Sequence, residues 1–227
     1  MRGLVKADLV YPQTWRRCIA AHCASVDSSN STLVTDFSPR RKHISLVNGP
    51  TRTPSESKVA LNFDGSNDYM RMPVASTAPE SMTLMTWVYS KTYASSDASA
   101  SRCPIGYGGT WNNLYMVWTD PTSSYRGAWA MKGNGSYPSL QYGTLAAGRW
   151  YHLATSWIAS TGLWTIFLNG NRVSSTTQTT FATIGNAFIY VGCMAIGTAH
   201  LDCLVDDIRL YDVALTQQEL KLLGSRR

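Results

Sequence analysis

Charge is scarce in this sequence. Asp, Glu, Lys and Arg make up 15% of 227 residues, and only three are glutamates: Glu56, Glu80 and Glu219. A surface so poor in ions leans on Ser, Thr, Asn and Gly, and it is cheap to desolvate against a flat partner. Hydrophobic residues reach 44%, which excludes a disordered chain. Long apolar runs are also missing: none approaches the roughly eighteen residues that a membrane-crossing helix needs. Behind Met1-Arg2, the stretch Gly3 to Leu9 carries Lys6 and Asp8, so it offers no apolar core for a secretory signal. A product of the cytoplasm, with no membrane partner, is expected.

The five cysteines, Cys18, Cys23, Cys103, Cys193 and Cys203, are odd in number and form no C-x-x-C pair. That argues against a disulfide framework or a zinc site, and buried reduced thiols are expected. His22, His43, His152 and His200 are scattered, with no Cys or Asp at ligand spacing. Phosphate loops, dinucleotide fingerprints and nucleophile elbows are absent. The net charge of +6 sits partly in short runs, Arg16-Arg17, Arg40-Arg41-Lys42 and Arg226-Arg227. Without a nucleic-acid motif these read as solvated basic turns, and no nucleic-acid partner is expected. An acidic protein partner stays open.

What is present is strand alternation, punctuated by turn residues. Strands are predicted at Thr83 to Val88, Trp111 to Trp118, Tyr151 to Trp157, Trp164 to Leu168, Ala187 to Val191 and Leu204 to Tyr211. Asn169-Gly170 predicts a type I′ hairpin, because both residues tolerate positive φ. One short helix is expected at the end. Thr216 and Glu219 form a capping box, Leu215 and Leu220 occupy the staple positions, and Gly224 terminates it. Residues 1–14 are expected to be an extended arm, with Pro12 limiting regular structure, and 15–227 one domain. Ser25 to Ser31, Pro50 to Ser57 and Tyr93 to Ser101 read as loops.

Ordered landmarks then carry a resemblance. Leu61-Asn62-Phe63-Asp64-Gly65-Ser66-Asn67-Asp68-Tyr69 is similar to an apolar-Phe-Asp-Gly turn, and Ser81 to Val88 to the strand that follows it. Gly148-Arg149-Trp150-Tyr151-His152-Leu153-Ala154, Thr165 to Val173 and Val205 to Thr216 continue the series, with a fainter echo at Thr35 to His43. Together they resemble the laminin G-like, pentraxin-like branch of the concanavalin A-like lectin/glucanase superfamily. The resemblance implies an all-β fold: a two-sheet antiparallel jelly-roll sandwich, its terminal strands adjacent, with one short C-terminal helix. Cys203 departs from the family's usual Gly before the last strand.

The superfamily's enzymes are mainly glycosidases, which need two carboxyl groups about 5 to 9 Å apart. No strand here carries the Glu-x-Asp-x-Glu trio, so the chain is read as a non-enzyme. Asp206 and Asp207 are adjacent in a strand. Alternation puts Asp206 with Leu204, Ile208 and Leu210, and Asp207 with Val205, Arg209 and Tyr211, so they form no side-by-side pair. Each reads as a carboxylate held by backbone N–H groups or a nearby Arg, or as a calcium ligand. Asp64, Asn67 and Asp68 form a second candidate calcium site, supported by the calcium that related domains bind near this turn. The same residues are also plain turn chemistry.

Trp87, Trp150, Trp157 and Trp164 are assigned to the core. Tyr107, Trp111, Tyr125, Tyr137 and Tyr142 lie among Gly, Ser and Pro. Loop aromatics of this kind either stack on a sugar or pack their own loops.

Two functions remain. The first is a structural interaction module: a bacteriophage capsid decoration (cement) protein or other virion component, bound to capsid protein or to itself as a homo-oligomer. Its warrant is the basic arm and tail, the reduced cysteines and the likeness to stand-alone laminin G-like domains among phage structural proteins. The second is a lectin-like module that binds a glycan, with or without calcium.

Overall fold

The computed structural model describes residues 12–24, 27, 32–42, 44–56, 58–74, 80–91, 102–107, 114–118, 128–130, 139–143, 145–177, 188–193 and 200–225. The elements begin α1 (Pro12–Arg16), β1 (Cys18–His22), β2 (Leu33–Val34), β3 (Ile44–Val47), β4 (Thr51–Ser55) and β5 (Lys58–Asp64). Next come β6 (Tyr69–Pro73), β7 (Ser81–Ser90), β8 (Arg102–Tyr107), β9 (Leu114–Trp118), β10 (Ala128–Ala130) and β11 (Ser139–Gln141). The chain ends with β12 (Trp150–Ile158), β13 (Leu163–Leu168), β14 (Asn171–Thr177), β15 (Phe188–Val191), β16 (Asp202–Tyr211) and α2 (Gln217–Gly224).

The strands make two 8-stranded antiparallel sheets. Sheet A runs β14-β13-β12-β7-β16-β5-β4, with β1 also paired to β16; sheet B runs β11-β10-β9-β8-β15-β6-β3-β2. The first and last strands therefore lie side by side, in register from Cys18 opposite Tyr211 to His22 opposite Ile208. This is the expected sandwich. Its inner core interleaves Leu61, Phe63, Leu84, Val88, Trp164 and Ile166 of sheet A with Ile44, Met70, Met72, Ile105, Ile189 and Val191 of sheet B. Burial of these apolar side chains is the main force closing the two layers.

A second core lies on the outer side of sheet A. Met85, Ala154, Phe167 and Tyr211 from the sheet meet Trp15, Cys18, Ala21, Leu215, Leu220 and Leu223 from α1, β1 and the C-terminal segment. Thr216 caps α2 as expected: its hydroxyl accepts from the Glu219 N–H, while the Glu219 carboxylate accepts from the Thr216 N–H at 2.8 Å. Glu219 Oε1 also accepts from the Thr14 hydroxyl at 2.7 Å, so the capping residue ties α1 to α2. Leu215 and Leu220 are both buried in this core, as a staple requires. The Asn169-Gly170 turn has φ of 50° and 75°, the I′ signature. A Cβ on Gly170 would stand 2.6 Å from Lys221 Cα, so this turn also gives α2 its seat.

Four sequence expectations are corrected. Pro12 opens helix α1 instead of extending an arm, since proline at a first helical position loses no hydrogen bond. Thr51–Ser55 is strand β4, not loop; it is an edge strand of sheet A, where Pro54 is tolerated. Gly224 is the last helical residue and Ser225 the C-cap; the glycine is needed because a Cβ there would lie 2.7 Å from His152 Nδ1. Finally, Trp87 and Trp150 are only half-buried, and their rings contact His152 and Tyr89 instead of joining the inner core. Trp157 and Trp164 are core as expected.

Candidate functional site

The outer face of sheet A is occupied by the second core, and its polar groups serve structure. A bulge between Asp206 and Arg209 breaks the expected alternation, so Val205 and Ile208 both enter the inner core. Asp207 sits in this bulge at φ 50° and grips Arg209 bidentately, at 2.6 and 2.7 Å. Arg209 is 2% exposed and stands 5.9 Å from the Trp15 ring centroid. Asp206 Oδ1 accepts from the Ala24 N–H at 3.1 Å. Burial, then the neighbouring Asp207, pushes the Asp206 carboxyl up. Both carboxylates are thus held in the ways expected of structural groups.

His152 lies beside them with neither ring nitrogen hydrogen-bonded among the described residues. Burial pushes its imidazole down to about 4, against smaller opposing effects of Asp207. Cys18, Cys23, Cys193 and Cys203 are buried thiols outside any disulfide; burial pushes the Cys18 and Cys203 thiols up. These thiols are inert packing groups. The side chain of Cys103 lies outside the described residues.

Sheet B differs. Its inner residues alternate with an outer row that no described element covers. In β6, Met70 and Met72 enter the core, so Tyr69, Arg71 and Pro73 face out; in β15, Ile189 and Val191 enter it, so Phe188 and Tyr190 face out. Strand register aligns Ser45 of β3, Arg71 of β6, Tyr190 of β15 and Gly106 of β8 across the sheet. The Tyr69 and Tyr190 rings are 6.2 Å apart and the Tyr190 and Phe188 rings 6.1 Å apart, in tilted contact. The Arg71 guanidinium carbon lies 4.8 Å from the Phe188 ring centroid. Burial pushes the Tyr190 phenol up, so it stays a neutral hydroxyl at neutral pH. Tyr190 itself is buried, so this row forms a shelf that presents the half-buried Tyr69 and Phe188 rings and, among the described residues of β6 and β15, one exposed cation, Arg71.

The candidate calcium turn forms one end of this shelf. Asp64 Oδ1 accepts from the backbone N–H groups of Ser66 at 2.8 Å, Asn67 at 3.3 Å and Asp68 at 3.5 Å. The Ser66 bond, with those of Asn67 and Asp68, holds the Asp64 carboxyl below the usual range. Asp68 is buried, and burial, then Asp64, pushes its carboxyl up. The Asn67 carbonyl accepts from the Asn48 side chain at 2.9 Å. His200 Nδ1 donates to the Asp68 carbonyl at 3.1 Å, and its ring lies 6.3 Å from that of Tyr69. Next to the turn, Lys91 pairs with Asp202 at 2.5 Å. Among the described residues no group of three His, Cys, Asp or Glu side chains could hold a metal ion. Asp64 Oδ1 and the Asn67 and Asp68 carbonyls are thus engaged in hydrogen bonds at the turn, the plain turn chemistry of these residues.

Of the candidate sugar-binding aromatics, Trp111, Tyr125 and Tyr137 lie outside the described residues, as does the side chain of Tyr107, whose backbone stands opposite Ile189 in β8. Tyr142 takes the packing alternative: it is buried, and its hydroxyl donates to the Ala154 carbonyl at 3.0 Å. Sequence reasoning missed Tyr69, Arg71, Phe188 and Tyr190. The signal was the alternation in Tyr69-Met70-Arg71-Met72 and Phe188-Ile189-Tyr190-Val191, but nothing local told which side faced out. The glutamates carry no paired arrangement: Glu56 lies in the β4–β5 turn, Glu80 just before β7, and Glu219 caps α2.

Residues 64–221 match the laminin G 3 family model, described as the concanavalin A-like lectin/glucanases superfamily, and the chain belongs to that family. Its fold is similar to domain 4 of AbnA, an extracellular arabinanase of Geobacillus stearothermophilus solved with arabinotriose. The TM-score is 0.70 at 16% identity, over 92% of this chain and 98% of that one. It is also similar to the binding domain of Paraclostridial Mosquitocidal Protein 1, with TM-score 0.69 and 13% identity over 93% and 52% of the two chains. A third similar structure is the botulinum neurotoxin DC binding domain in complex with SialylT, with TM-score 0.68 and 12% identity over 93% and 51%. This chain thus spans about half the length of the toxin domains. At these identities the likeness shows the fold. No curated protein matches the chain in sequence.

Proposed function

We propose that the chain is a lectin-like module that binds a saccharide on the outer face of sheet B. The observation that carries this reading is the outer row of sheet B, where the half-buried rings of Tyr69 and Phe188 flank the buried Tyr190 with the exposed Arg71 beside them. Aromatic rings present apolar surface of the size of a sugar's C–H face, and neighbouring polar groups orient its hydroxyls. Binding domains of the same fold, one solved with arabinotriose and one with SialylT, lend support. Binding without catalysis is in keeping with the absence of a Glu-x-Asp-x-Glu strand. The capsid-decoration reading leaned on the basic arm and tail, of which residues 1–11 and 226–227 lie outside the described residues. No feature of the described surface favours it.

The test is a glycan array followed by calorimetry with Tyr69→Ala and Phe188→Ala. Each substitution should weaken binding at least about tenfold, since a stacked ring contributes on the order of 1–3 kcal/mol. Unfolding midpoints should move little, because both rings are only half-buried. Binding that is untouched by both variants would sink this site; an array with no bound glycan would sink the reading.

A further inference from the structure

The shelf's cation narrows the ligand class, an inference that rests on the saccharide reading above. Arg71 is exposed, and it pairs with no carboxylate among the described residues. Three other arginines are paired with carboxylates: Arg17 with Asp212, Arg52 with Asp27 and Arg209 with Asp207. Arg71 instead lies over the Phe188 ring, its guanidinium carbon 4.8 Å from the centroid. A cation–π contact leaves the N–H fork of a guanidinium available to a two-oxygen acceptor such as a carboxylate. Its neighbours in the cross-strand row are neutral: Ser45 on one side, the buried Tyr190 on the other, and Gly106 beyond. The acids at the end of the shelf offer Arg71 no partner. Asp64 Oδ1 accepts three backbone N–H groups, Asp202 is paired with Lys91, and Asp68 is buried.

We infer that the saccharide bound on this face is acidic, a sugar carboxylate of the uronic or sialic type. Its carboxylate pairs with Arg71, and the apolar side of its ring lies on Tyr69, two residues away on the same face of β6. A neutral sugar would leave the one cation of the shelf unused.

The deciding measurement compares oligogalacturonate with its methyl ester, two probes with the same rings and only one with charge. Sialyllactose and lactose form the second pair. Calorimetry on the full chain should show an acid preferred at least tenfold over its neutral counterpart, with the preference shrinking as salt rises. Arg71→Gln should abolish that preference while leaving the unfolding midpoint within a degree or two (roughly the surface-substitution range). Arg71→Lys should restore only part of it, since an ammonium cannot pair bidentately. Which acid wins identifies the sugar type. Equal binding of acid and neutral partner, or a preference that survives Arg71→Gln, overturns the inference and leaves the saccharide reading standing. Silence from all four probes and from the glycan array overturns both.

Discussion

Both sheets of the sandwich turn one face inward to a shared core, and both carry aromatic and arginine side chains on the other face. On sheet A those outer groups are covered: α1 and α2 pack on them, Arg209 is closed into a pair with Asp207, and Trp15 and His152 are buried. On sheet B the described elements leave the outer row uncovered, Arg71 lacks a carboxylate, and Tyr69 and Phe188 keep part of their surface exposed. The same residue types therefore do opposite work. Under a lid an arginine must be paired or it destabilises the fold, because desolvation is costly. Without a lid it can wait for a ligand.

This contrast can be broken most forcefully on the covered side. Arg209→Met leaves the half-buried Asp207 without its cation and should cost up to about 3 kcal/mol in urea unfolding. The equivalent change at Arg71 should leave stability nearly untouched. Comparable losses at the two sites would erase the distinction between them.

Acid probes the covered side by a second route. The unfolded His152 imidazole takes up a proton near its ordinary 6.5, whereas the folded one does so only near about 4. Its contribution is therefore complete above pH 6.5 and is lost as pH falls toward 4, about 3 kcal/mol at most. His22, also buried and shifted downward, adds to the same slope. Stability measured from pH 7 to pH 4 should fall, and His152→Phe should flatten part of that fall. A variant with an unchanged slope would show that the ring is solvated in the fold.

The smallest effect is expected at the turn that ends the sheet B shelf. Since Asp64 Oδ1 is committed to three N–H groups, EDTA should leave the unfolding midpoint unchanged. Saccharide binding should persist in EDTA as well. A midpoint that drops in EDTA and returns with calcium would mean that residues outside the described set complete a cation site with Asp64, Asn67 and Asp68.

The fold was legible in the sequence because its signals are local and redundant. Alternation gave the strands, Asn169-Gly170 the hairpin, and Thr216 with Glu219 the cap of α2. Pro54 misled because proline marks a loop unless the strand is known to be an edge, and edges are decided by the sheet. Asp206 and Asp207 misled because a bulge inserts one residue, and a single insertion reverses the alternation beyond it.

The candidate site was less legible. Attention fell on aromatics in glycine-rich loops, Tyr107, Trp111, Tyr125 and Tyr137, because loop rings advertise themselves by their surroundings. Tyr69 and Tyr190 sit inside ordinary strands, 121 positions apart, and look like core residues.

The sequence alone determined which residues alternate, where the chain turns, where the last helix begins, and the order of landmarks that marks the family. Each of these depends on neighbours a few residues away. Only the tertiary structure decided which outer face is covered, and hence that Arg209 is a buried structural partner while Arg71 is an exposed, unpaired cation. Burial is a property of what packs above a residue, and for a sheet face those atoms come from elsewhere in the chain.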